Sequence, residues 1–170
     1  MTYKEAISYI KSDLSRYNLK RSGGGKFLHA YLFEHGFRFS FWFRLACVHS
    51  VIRPFFWLIY KHYSTLYGIQ IPTRTKIGKG FYLGHGLCVV INPTAVIGNN
   101  VNIGQFTTIG SSKGKAATIE DGVWIGPGCC IVEDVHIGNN SVIGAGSVVV
   151  KDIPENTVSA GSPAKVIRYK

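Results

Sequence analysis

Residues 91–110 read INPTAVIGNNVNIGQFTTIG, and residues 119–144 read IEDGVWIGPGCCIVEDVHIGNNSVIG. In both stretches an isoleucine recurs at every sixth position: Ile91, Ile97, Ile103 and Ile109, then Ile119, Ile125, Ile131, Ile137 and Ile143. Upstream, Ile71, Ile77 and Leu83 carry the same spacing two residues out of step, and Val149 continues it downstream. Glycine commonly follows the anchor, as in Ile97-Gly98, Ile103-Gly104 and Ile125-Gly126. A period of six belongs neither to a 3.6-residue helix nor to simple strand alternation. It fits short strands joined by tight corners, with each aliphatic anchor inward and Gly or Asn supplying a positive φ. Such repeats wind into a parallel β-helix. The expected fold class is mainly β, a parallel β-helix preceded by an α-helical segment.

The anchors divide the repeat into coils of three hexapeptides. These cover 71–88, then 91–108 after an inserted Val89-Val90 pair, then 109–130 and 131–148. The third coil is four residues too long. Its excess falls in GSSKGKAAT, which is polar and basic and is expected to protrude as a loop over 110–118. From residue 150 the period breaks at Pro154, Gly161 and Pro163, so 150–170 is expected to cap the open end. The expected division is a helical segment, 1–69, and a β-helix domain, 70–170.

Within 1–69, residues 1–18 read as an amphipathic helix through Ile7, Ile10 and Leu14. Lys20–Lys26 (KRSGGGK) reads as a flexible loop and lacks the spacing of a phosphate loop. Residues 27–67 are rich in aromatics but interrupted by Arg38, Arg44 and Arg53, so no uncharged run approaches the ~20 residues of a membrane span. Pro54 marks a helix start. These helices are expected to pack on one another and on the coil end, with a peripheral membrane surface as the second reading.

The net charge of +10 is uneven: +9 lies in residues 1–76 and +1 in 77–170. That asymmetry points to an anionic partner or a solvated basic face. Nucleic acid is not an expected partner, because the accompanying aromatics are expected to pack internally. Acidic residues near the N-terminus stand where a signal peptide needs an apolar core, which favours a cytoplasmic location. The four cysteines show no CxxC spacing and are expected to be reduced and mostly buried.

The chemistry centres on His85, which stands between glycines in Leu83-Gly84-His85-Gly86, beside the break in register. An imidazole projecting from a tight corner can take a proton from a hydroxyl during acyl transfer. Residues 70–170 resemble the serine acetyltransferase branch of the left-handed β-helix acyltransferases. The resemblance is carried by IGKGFYLGHGLCVVINPTAVIGNNVNIGQFTTIG and by the run from Ile119 to GSPAKVIR; IKSDLSRY and FRFSFWFRLA are similar to the helices that precede the coil in that branch. The resemblance implies a left-handed coil, acetyl-CoA as donor, His85 as general base and a homotrimer with sites between subunits. Gly126, Ala145 and Gly146 are implied to border the pantetheine arm, and Lys151, Lys165 and Arg168 to meet the CoA phosphates. Backbone N–H groups near Gly110 and Ser111 are assigned to the oxyanion.

Three departures bear on the acceptor. Gly84 replaces the family's aspartate before the histidine, Gln70 replaces the aspartate fifteen residues earlier, and the loop has no histidine. Gln70, Asn92, Asp13 and Glu34 are the side chains proposed to orient His85 or meet the acceptor. Because burying an amino acid's charges unpaired is costly, the expected acceptor is a sugar or glycan hydroxyl. Serine is the alternative, and a non-catalytic scaffold or membrane adaptor is the alternative of another class. The repeat has two histidines, His85 and His136, where a β-helix carbonic anhydrase needs three for zinc, so no metal is expected. His136 is expected to face solvent.

Overall fold

The computed structural model describes residues 1–20 and 22–170; Arg21, part of the expected loop, lies outside the described residues. Four helices open the chain: α1 (Tyr3–Ser15), α2 (Gly23–Phe33), α3 (His35–Ala46) and α4 (Arg53–Tyr67). Thr2 and Glu5 form a reciprocal capping box at α1. Pro54 sits in the first turn of α4, and Gly68, at φ +65°, ends it in the left-handed conformation. Residues 23–26 are not loop, as their glycines lead one to expect, but the first turn of α2. The Lys26 N–H donates to the Ser22 carbonyl across the three glycines, so helical hydrogen bonding begins there. Among the described residues no helix is long and apolar enough to cross a membrane.

The coil follows as strands of two residues each. The first coil holds β1 (Lys76–Ile77), β2 (Tyr82–Leu83) and β3 (Val90–Ile91), and the second β4 (Val96–Ile97), β5 (Asn102–Ile103) and β6 (Thr108–Ile109). The third holds β7 (Thr118–Ile119), β8 (Trp124–Ile125) and β9 (Cys130–Ile131), and the fourth β10 (His136–Ile137), β11 (Val142–Ile143) and β12 (Val148–Val149). A terminal hairpin, β13 (Thr157–Gly161) and β14 (Ala164–Tyr169), completes the chain. The first face stacks β1-β4-β7-β10, the second β2-β5-β8-β11-β13-β14, and the third β3-β6-β9-β12. Pairing is parallel throughout except between β13 and β14. This is the β-helix with an N-terminal helical segment that the six-residue period implies.

Every anchor from Ile71 to Val149 is buried, while the residue before it points outward. Each buried aliphatic side chain stabilises the fold by about 1.5–3 kcal/mol, which is how strands too short to persist alone are held. The core is continuous with the helices through Phe39, Phe43, Tyr60 and Tyr67. Asp13 and Arg44, both buried, tie the two parts together. Arg44 Nε donates to Asp13 Oδ2 at 2.9 Å, and its Nη1 and Nη2 donate to the carbonyls of Ile77 and Gly78. Asp13 Oδ1 accepts from the Phe81 N–H at 2.9 Å. Burial pushes the Asp13 carboxyl up from its ordinary value, and Arg44 pulls it back.

The cysteines are all free, but only Cys129 is buried; Cys88 and Cys130 are exposed and Cys47 is intermediate. Coil geometry explains the correction. Cys130 occupies the outward position before an anchor, and Cys88 lies in a corner.

Candidate active site

At the corner between the second and third faces, Gly104-Gln105-Phe106, Gly126-Pro127-Gly128 and Gly144-Ala145-Gly146 stack, and the first coil sets Gly84 over Gly104 and Leu87-Cys88 over Gln105-Phe106, with His85-Gly86 between them. In the lower three coils the third residue takes the left-handed conformation, Phe106 at φ +60°, Gly128 at +69° and Gly146 at +68°. The first coil differs, with His85 at +59°, Gly86 at +58° and Cys88 at +50°. The two extra residues therefore lie within this corner and are not Val89-Val90. Val89 is buried and Val90 pairs with Thr108. Slipping a strand by one residue would turn its anchor outward, whereas a corner absorbs extra length.

His85 is exposed and lines a cleft of about 260 Å³ with Tyr82, Asn102, Gln105, Trp124 and Pro127. The helices brace it from behind. A Cβ on Gly86 would strike the backbone of His35 and Gly36, and one on Gly36 would strike the Leu83 carbonyl, so the start of α3 and the histidine corner meet backbone to backbone. Arg16 reaches the same cleft, its Nη2 donating to Asn102 Oδ1 at 2.8 Å and its Nη1 to the Asn100 carbonyl at 3.0 Å. Burial and then the charge of Glu34 push the Tyr82 phenol up, while Arg16 pulls it down, so one acid and one base both act at Tyr82. Sequence reading missed Arg16, Tyr82, Gln105 and Trp124. The one local signal was Phe106, a bulky residue where the neighbouring corners carry glycine.

The other expected site residues separate into groups. Gly84, Gly126, Ala145 and Gly146 share the histidine's corner. Gly126 is demanded by stacking, because its Cβ would lie 2.7 Å from the Ala145 nitrogen, whereas a Cβ on Gly146 meets nothing within 4 Å. We expect Gly126→Ala to lower stability by about 1–3 kcal/mol before it touches any ligand, read as a reduced denaturant midpoint; an unchanged midpoint would show that the coils can part there. Lys165 and Arg168 are exposed on β14, at the far end of the second face from His85.

Asn92, Gly110, Ser111 and Lys151 belong to the corner between the third and first faces, so within one chain they do not join His85. Asn92 Oδ1 is committed to the N–H and hydroxyl of Thr94. The Gly110 N–H donates to the Ile131 carbonyl at 3.0 Å and is not available to an oxyanion. Gln70 is locked by its backbone to Val89 and Ile91, and its side chain lines a different cavity. Asp13 is held by Arg44 and Phe81 away from the cleft. Of the four groups proposed to orient His85, Glu34 alone stands near the cleft wall. His136 is exposed and pairs with Glu120 at 2.9 Å.

The long loop leaves from the same distant corner and is tied back by Glu133. That carboxylate accepts from the N–H groups of Ser112 and Lys113 and from the Ser111 and Ser112 hydroxyls. These bonds hold its pKa at about 2, led by the two backbone donors. A depressed acid stabilises this arrangement above its unfolded value and loses that contribution as pH falls through the folded one. The Ser112 and Lys113 amide resonances should therefore titrate near pH 2; a midpoint near 4.5 would mean that the loop is not tied.

The bacterial transferase hexapeptide (six repeats) family matches residues 116–151. Serine acetyltransferase 3, mitochondrial, of Arabidopsis thaliana is 33% identical over 179 residues, covering 98% of this chain and 44% of the relative. Soybean serine acetyltransferase complexed with serine superposes with a TM-score of 0.82 at 31% identity, covering 96% of this chain and 70% of that one. The chain belongs to the serine acetyltransferase branch of the hexapeptide transferases. Serine acetyltransferase from Brucella abortus in complex with coenzyme A gives a TM-score of 0.83 at 28% identity, covering 99% of this chain and 70% of that one. The left-handed β-helix implied by the resemblance stands. The chain spans about half the length of the curated relatives it matches.

Membership in this branch overturns the expected sugar or glycan acceptor, since these relatives and structural neighbours are serine acetyltransferases. The physical reason lies in the cleft. That expectation rested on the charges lost at the family's motif positions, whereas the helices bring Arg16 to Asn102 on the cleft wall and Glu34 beside Tyr82.

Proposed function

We propose that the chain transfers an acetyl group from acetyl-CoA to the hydroxyl of L-serine, with His85 as general base. One observation carries the reading: an exposed imidazole, a smooth corner strip and a cationic hairpin lie in line along one edge of the coil. His85 leaves β2, and β13 lies four strands below it, roughly 19 Å at the usual strand spacing. A donor with its thioester at His85 lays its pantetheine arm past Gly126, Ala145 and Gly146 and brings its phosphates toward Lys165 and Arg168. Glu34 and Arg16 supply opposite charges for the ammonium and carboxylate of serine.

In the reaction His85 removes the hydroxyl proton as the serine oxygen attacks the thioester carbon. Negative charge builds on the former carbonyl oxygen, and the Gln105 N–H, which has no partner among the described residues and whose residue lines the cleft, is a backbone donor for it. Collapse breaks the carbon–sulfur bond, and the imidazolium returns its proton to the CoA thiolate. An adjoining copy completes the cleft in a homotrimer, which rests on the resemblance, and the enzyme works in the cytoplasm, which rests on the acidic N-terminal stretch.

The test is release of CoA thiol from acetyl-CoA by purified protein, with L-serine beside an acceptor-free control. Serine-dependent release is the expected result, and Glu34→Gln and Arg16→Gln should each raise KM for serine by about tenfold or more through loss of a charge-assisted bond. No release together with no acetyl-CoA binding would instead favour a scaffold.

A further inference from the structure

Arg53, Trp57 and Lys61 recur at four-residue intervals along α4, so they share one side of the helix. That side borders the buried Tyr60 and Ser64 and faces the start of the coil, where Gln70 and Arg74 complete the wall of a cavity of about 540 Å³. The buried hydroxyls beneath it are satisfied: Tyr60 donates to the Ile71 carbonyl and Ser64 to that of Ile69. The side chains of the wall are not. Arg53 spends only Nε, on the Ala46 carbonyl, which leaves its two terminal nitrogens. Among the described residues the side chains of Trp57, Lys61, Gln70 and Arg74 make no hydrogen bond that would hold them from a ligand.

No carboxylate lines the cavity, and none stands ready to enter it. The ion pairs among the described residues are Arg44 with Asp13 and His136 with Glu120. Of the other acids in residues 1–76, Glu5 is bonded to Thr2 and Glu34 acts at Tyr82. Arg74 stands in the corner between the third and first faces, which carries no carboxylate until Glu133 and Asp134, three strands below. That is roughly 14 Å at the usual strand spacing and beyond a Debye length at physiological ionic strength. Glu133 is in any case taken by the loop. Arg53, Lys61 and Arg74 thus share one cavity without a counter-charge, and like charges gathered this way are stabilised by an anion. Two arginine forks match the paired oxygens of a phosphate, and lysine adds a point charge. The volume falls within the range of small-molecule sites, about 300–1,000 Å³, so an organic body attached to the phosphate has room beside the Trp57 ring.

We propose that this cavity binds a phosphate group, free or carried as a monoester by a small molecule, with Arg53, Lys61 and Arg74 meeting its oxygens. Bound there, the phosphate bridges α4 to the first coil and stabilises the folded chain by mass action. The site is separate from the histidine cleft, and its test needs no acetyl transfer. That test is calorimetric titration of the full chain with inorganic phosphate and with glycerol 3-phosphate, glycerol serving as the uncharged control, in a buffer free of phosphate and sulfate. Saturable binding of phosphate and a raised thermal midpoint are expected. Tighter binding of glycerol 3-phosphate would support the proposal with an ester as ligand, and equal or weaker binding would support it with the free ion. Arg53→Gln/Arg74→Gln should weaken binding by about 100-fold, and Lys61→Gln, which loses no bond within the protein, by about tenfold. Lys4→Gln/Lys11→Gln removes the same charge as the double arginine variant, but from α1, and should bind like the parent. An equal fall in that control would trace binding to net charge and overturn the proposal. So would the absence of saturable binding by either phosphate, binding of glycerol alone, or a Lys61→Gln variant that binds like the parent.

Discussion

Replacing His85 by alanine should lower kcat for acetyl transfer by about 10²–10⁴-fold, the usual contribution of a positioned general base. The fold should survive, because the side chain is exposed and makes no hydrogen bond among the described residues. Its backbone is the complication. At φ +59° a residue with a Cβ is strained, and alanine bears that strain without the local help that polar side chains give. His85→Asn is the better companion variant, since asparagine tolerates the left-handed region but cannot act as the base. Both should lose activity alike, with thermal midpoints close to the parent. If either keeps activity within a few-fold, the proton goes elsewhere.

The second large effect is on stability. Arg44→Ala should destabilise the protein by about 3–5 kcal/mol, the range seen when one partner of a buried ion pair is removed. Asp13 would keep its charge in the core without its principal partner, and the carbonyls of Ile77 and Gly78 would lose their donor. For a chain of this size the melting temperature should fall by on the order of 10 °C. Arg44→Lys should recover little, because an ammonium cannot span Asp13 and two carbonyls at once. Removing both charges, as Asp13→Leu with Arg44→Met, should regain much of the loss, as an apolar pair of similar volume commonly does. A loss below about 1 kcal/mol in Arg44→Ala would mean that water reaches the pair.

The coil was legible because its information is local and repeated. Each anchor and its glycine restate the same corner, so a six-residue period sufficed for the parallel faces. The same economy hid the corner's detail. A spacing of eight from Leu83 to Ile91 reveals that two residues are extra but not where they sit, and only the left-handed backbone from His85 to Cys88 places them. Contacts across the chain were invisible for a different reason. Asp13 and Arg44 lie 31 residues apart, and nothing in either segment says that they meet above Phe81. Arg16 is hidden likewise, and Glu34 stands in the sequence as one candidate among four with nothing to place it beside the cleft. Gln70 stands at the family's aspartate position and Asn92 seven residues past His85, yet the coil sends both to corners other than the histidine's.

The two ends of the coil have a consequence for solubility. A stack of parallel strands is open by nature, and each terminal rung presents unpaired N–H and C=O groups onto which another chain could continue it. Here the helices cover the first rung, α3 resting against β2. At the other end β14 reverses direction against β13 and bears Lys165, Arg168 and, just beyond, Lys170. A reversed, positively charged strand is a poor template for the next parallel one. The chain thus carries its own terminators against growth into a fibre, and shortening the hairpin would remove one of them.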